Sequence, residues 1–192
     1  MAHIERIEWK RLRDKLAELR AQPKDISTGL PASISYLQML YSNAMENDKR
    51  DLLDYLGMEF SRYGMIAEEE RVLRTIAHSY ADDPTALIGL ASFLRSEKAQ
   101  YDAALAIVNE AISVARSQGT MIRYCYNERA RVARAMNNYQ LLSETLQVLL
   151  QLGPGDPRSD IGPEFDFVRD LPNGTIDADL LARYIGEQRN PQ

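Results

Sequence analysis

The feature that most constrains this chain is a spacing that recurs. Leu53-x-x-Leu56-Gly57-x-x-Phe60 returns 34 residues later as Leu87-x-x-Leu90-Ala91-x-x-Leu94, and after a further 39 as Tyr126-x-x-Arg129-Ala130-x-x-Ala133. A second set runs alongside it. Glu69, Leu73 and Ile76 return as Ala104, Val108 and Ala111 after 35 residues, and as Leu142, Leu146 and Leu149 after another 38. Steps of three and four within each set place its members on one helical face. From the small residue of the first helix to the opening position of the second, the separations are 12, 13 and 12 residues. A period of this length marks one supersecondary unit, a pair of helices that buries its apolar face by stacking on its neighbours. The extra residues are expected in turns, at 96–100 within the second unit and at 117–120 between the second and third.

Each residue choice suits such a pair. Gly57, Ala91 and Ala130 keep the crossing of the two helices narrow. Gly64, after Tyr63, fits the left-handed position that ends a helix. Asp82-Asp83-Pro84 closes the first unit, with Pro84 suited to the first turn of the next helix. Tyr101 and Tyr139 each stand three residues before the signature of a second helix.

Over residues 50–152 the pattern resembles the tetratricopeptide repeat (TPR) family. Two units follow the family closely; the third departs at Arg129 and Leu142, and the first at Glu69. The resemblance implies an all-α fold, a short right-handed superhelix of about three helical hairpins. It also implies that first-helix positions line a concave groove: Asp54, Met58 and Arg62, then Ile88, Ser92 and Arg95, then Asn127, Arg131 and Arg134. Family members that clamp acidic peptide C-termini carry lysine and asparagine in the first unit. Asp54 and Met58 stand there instead, so that clamp is not implied. Arginines at one level, with apolar or small residues at another, suit an extended or helical acidic segment; as ordinary solvated surface charges they would be equally unremarkable.

The ends read differently. Residues 3–21 are expected to form an amphipathic helix, with Ile4, Ile7, Leu12, Leu16 and Leu19 on one side and Trp9 at its border. A second helix is expected over 33–46, carrying Ile34, Leu37, Leu40, Ala44 and Met45. Residues 1–49 then cap the first unit, because a solenoid end leaves an apolar face uncovered; dimerisation or a membrane surface is the sharper alternative. From 153 onward Asp156, Asp160, Glu164, Asp166 and Asp170 are set among Pro154, Pro157, Pro163 and Pro172, an acidic linker with a short turn at 165–168. A last helix over 177–187, bearing Leu180, Leu181, Tyr184 and Ile185, either caps the far end or folds into the groove.

Composition enters as a filter on function. A formal net charge of −5 disfavours nucleic acid, whose phosphates dominate such binding. No apolar run approaches the roughly 20 residues of a membrane span. The single cysteine, Cys125, makes no internal disulfide and suits a reducing, cytoplasmic setting. The two histidines, His3 and His78, belong to no nucleophile–base pair or zinc motif. No metal and no cofactor is expected. Glu68-Glu69-Glu70 suits the positive end of a helix dipole, and Asn173-Gly174-Thr175 reads as a turn. The expected role is a protein-interaction module, adaptor or chaperone, without enzymatic activity. It would bind a protein or peptide partner, with a homo-oligomer compatible. The second reading is an accessory subunit of an enzyme, or a small enzyme with a pocket around His78 or Tyr124–Tyr126.

Overall fold

The computed structural model describes residues 7–22, 24–25, 27–153 and 166–189. Among them are nine α-helices, one 3-10 turn and no strand. His3, Ile4, Asp156, Asp160, Glu164, Pro154, Pro157 and Pro163 lie outside the described residues. The chain divides into two compact units, 1–79 and 80–192.

In the first unit the helices are α1 (Trp9–Arg20), α2 (Ala32–Asn43), α3 (Glu46–Arg62) and α4 (Ile66–Ser79), packed in chain order. The apolar face of α1 is Leu12, Leu16 and Leu19, all buried. Trp9 stacks on Tyr55 of α3, centroids 5.8 Å apart and planes 6° from parallel. The expected second helix is shorter than its apolar pattern. Ala44 and Met45 are both extended, so α2 ends at Asn43 and α3 begins at Glu46. Met45 therefore sits in the corner between them, 49% exposed, rather than on a helical face. Glu46 and Asp48 then occupy the first turn of α3, where the helix dipole favours negative charge. At the other end of α3, Gly64 takes φ +66°, and the Met65 N–H reaches back to the Phe60 carbonyl at 2.9 Å.

The second unit contains α5 (Pro84–Ser96), α6 (Tyr101–Gln118), α7 (Ile122–Ala135), α8 (Tyr139–Gln151), the 3-10 turn Asp166–Val168 and α9 (Ala178–Arg189). Consecutive helices pack against each other from α5 to α8; α5 also meets α7, and α9 lies on α8. Asp83 caps α5, its Oδ1 accepting from the Thr85 N–H at 2.8 Å, with Pro84 at the first position. Asn138 does the same for α8 through the Leu141 N–H at 3.0 Å, and Asp177 for α9 through the Leu180 N–H at 2.9 Å. Arg123 of α7 donates to the carbonyls of Leu149 and Gly153, closing the C-terminal end of α8.

The recurring residues fall on α3–α4, α5–α6 and α7–α8. In the second and third pairs the six second-helix positions are each 0% exposed. The first pair departs from that register: Leu73 and Glu69 are only half buried, and Val72, Ile76 and Ala77 form the buried face of α4. Val72 fills the space above Gly57, its Cγ1 standing 3.7 Å from where a Cβ would be. One of the two expected insertions also lands elsewhere. The extra residue at 96–100 does lie in the turn before α6, but the one at 117–120 lengthens α6 itself to 18 residues, against 14 in α4 and 13 in α8. That added turn is anchored where Gln118 Nε2 donates to the Asp82 carbonyl at 2.6 Å.

Candidate functional site

Tyr124, Asn127, Glu128, Arg131 and Arg134 follow one another along α7 at helical spacing. Glu128 is the member the sequence reading missed. Its side chain is 4% exposed, and Arg95 of α5 donates to it from Nε at 2.7 Å. Arg131 approaches the same carboxylate at 3.6 Å, and Arg95 Nη2 also donates to Ser92 Oγ at 3.2 Å. Ser92, Arg95 and Arg131, drawn from two helices, are thus brought together around a buried negative charge. That charge is affordable in the interior only because guanidinium groups face it. The nearby Tyr124 phenol is pushed upward, first by burial and then by the field of Glu128.

The 3-10 turn lies on this face of α7. Phe167 is 1% exposed, and the Arg131 guanidinium lies 5.8 Å from its ring centroid, within cation–π range. Arg134 reaches the Asp170 carbonyl at 3.3 Å from Nη2 and the Tyr139 hydroxyl at 3.3 Å from Nη1. Behind Phe167 stands Tyr184 of α9, fully buried, with ring centroids 5.9 Å apart. Val168, Ile176 and Leu180 of the C-terminal segment are buried as well. Within the acidic stretch, Phe167 and Val168 are thus both buried.

Other residues expected along the groove are placed differently. Ile88 and Asn127 are each 1% exposed and present almost no surface. In the first unit, Asp54 pairs with Arg50 one helical turn before it. Met58 is 56% exposed and stands among the few large apolar side chains open to solvent. Arg62 lies 3.5 Å from Glu59, which is itself 1% exposed. Burial works against a charge on Glu59. Hydrogen bonds from Arg20 (2.5 and 3.0 Å) and Ser33 (2.7 Å) outweigh it and hold the carboxyl below its usual range.

The remaining chemistry-bearing residues do not converge. Cys125 is fully buried, and burial pushes its thiol up to about 11, so the nucleophilic thiolate is scarce at neutral pH. His78 is exposed on α4 beside Arg74, Glu70 and Arg71, in a shallow depression along one helix. Tyr126 is buried, its hydroxyl accepting from Arg116. Among the described residues no group of three or more His, Cys, Asp or Glu side chains is arranged to hold a metal ion. No described helix is long and apolar enough to cross a membrane.

The sequence matches no family model and no curated protein.

Proposed function

We propose that this chain is a protein-interaction module of tetratricopeptide type, in which the α5–α7 face of the second unit holds a segment of a partner protein. The observation that carries the reading is the seating of Phe167 on α7 under Arg131, whose guanidinium also faces the Glu128 carboxylate that Arg95 of α5 holds. A surface that accommodates a short 3-10 segment against Arg131 and Arg134 has the chemistry a peptide groove needs. Apolar contact supplies affinity, and fixed donors set direction. The contact of α5 with α7 favours the repeat reading, because stacked hairpins bring their first helices side by side. Cys125, buried and held protonated, lends no support to an enzyme.

The partner segment is acidic and binds in a salt-sensitive way, since arginines raise the local potential although the whole chain carries −5. The full chain carrying Phe167→Ala, which vacates the seat under Arg131, should enrich acidic sequences when immobilised and presented with a displayed library of random peptides. An Arg131→Gln/Arg134→Gln variant of that chain should lose the enrichment while keeping its helical circular dichroism. Arg95 is left in place because it makes the close hydrogen bond to the buried Glu128 carboxylate, 2.7 Å against 3.6 Å for Arg131, and so keeps that charge paired in the double variant. Enrichment that survives the double substitution refutes the assignment of this face.

A further inference from the structure

We propose that residues 166–170 are a built-in occupant of this face, so that the chain rests with its groove closed and a partner must displace its own Phe167–Val168 pair. The inference rests on the peptide-groove reading and specifies the ligand: an aromatic residue followed by an aliphatic one, within an acidic stretch.

Three observations converge on it. The segment binds through a side-chain anchor and a backbone contact, as a peptide ligand does. Phe167 is buried beneath the Arg131 guanidinium, and the Asp170 carbonyl accepts from Arg134. Both arginines belong to the set that the repeat pattern places along the groove, and they stand one turn apart on α7. The segment also contributes little regular structure of its own. It is a three-residue 3-10 turn followed by Asp170 at φ +53°, a left-handed conformation that few non-glycine residues adopt. Within it Phe167 and Val168 are buried while the residues Arg169 and Asp170 are exposed, so the seat is made by a narrow apolar edge, not by a helical face.

The attachment is covalent and within one chain. A tethered segment competes at an effective concentration on the order of millimolar, so a free peptide of similar intrinsic affinity is largely excluded. Weakening the tethered copy removes that competition.

The test uses the full chain and a fluorescent peptide of residues 166–172, Asp-Phe-Val-Arg-Asp-Leu-Pro. Anisotropy titrations compare wild type with Phe167→Ala. The expected result is weak binding to wild type and about ten-fold or greater tightening in Phe167→Ala. A peptide carrying alanine in place of its phenylalanine should bind neither protein. Equal measurable affinity for wild type and Phe167→Ala overturns the closed groove while leaving the peptide-groove reading intact. Absence of binding to both overturns the proposed ligand, and the library selection then judges the groove by itself. Loss of the helical signal in Phe167→Ala makes the segment part of the core, and the proposal falls.

Discussion

Replacing Glu59 with glutamine tests whether a buried carboxylate organises the first unit. The side chain is 1% exposed; one oxygen accepts from Arg20 at 2.5 and 3.0 Å, and the other from Ser33 at 2.7 Å. Glutamine keeps one acceptor oxygen and turns an N–H2 group toward one of these two donors. With its oxygen on Arg20 and its N–H2 donating to the Ser33 hydroxyl, which can also accept, glutamine keeps the contacts but not the negative charge that strengthens them; losing that charge-assisted bonding costs about 1.5–3 kcal/mol. Arg20 and Arg62 are 30% and 53% exposed, so water screens their unpaired charge and holds the loss within that range. The pH dependence gives the sharper readout. A carboxyl whose folded pKa lies below its unfolded value contributes stability that is fully present above the unfolded pKa and fades as pH falls through the folded one. The stability difference between wild type and Glu59→Gln should be largest near neutrality. It should shrink from about pH 4.5 downward as the wild-type carboxyl takes up its proton. Urea unfolding of both proteins at a series of pH values measures it. A difference that stays constant to below pH 4, or one under about 0.5 kcal/mol at pH 7, refutes the network as described.

Two further substitutions examine the helix crossings. Gly57→Ala should stabilise the protein by about 0.5–1 kcal/mol in denaturant melts, because a Cβ there meets Val72 at an ordinary 3.7 Å and alanine is the better helix former; destabilisation would mean that the α3–α4 contact tolerates no side chain at all. Ala91→Leu should cost about 1–3 kcal/mol by overpacking a position that is 0% exposed. Ser92→Ala, losing one partly exposed hydrogen bond from Arg95, should fall within about 0.5 kcal/mol of wild type. Equal unfolding midpoints for these last two variants would refute the register assigned to α5.

Helix class and several turn positions were legible from local signals, though not the break at Ala44–Met45 or the length of α6. Steps of three and four put Leu87, Leu90, Ala91 and Leu94 on one face, and all four are buried. Capping side chains, a proline at N1 and a left-handed glycine mark helix ends through contacts with their own neighbours, so Asp83-Pro84 and Gly64 could be read directly. The last helix begins where Asp177 announces it, and Asn173-Gly174-Thr175 makes its turn.

What the sequence alone determined about this protein is therefore its helical content, the faces its helices bury and the capping of their ends. Tertiary structure decided which of those residues meet. Glu128 is one acidic residue among 28 in the chain until α5 carries Arg95 to it. Arg20 and Glu59, 39 positions apart, share no local pattern that would pair them. Phe167 follows an acidic, proline-rich stretch whose composition reads as linker, yet it is buried because α7 and α9 offer Arg131 and Tyr184 as its neighbours. Periodicity and capping depend on residues within a few positions of each other, so they survive as pattern in a single sequence. Ion-pair partners and the seating of a distant segment depend on distances that exist only once the helices have packed.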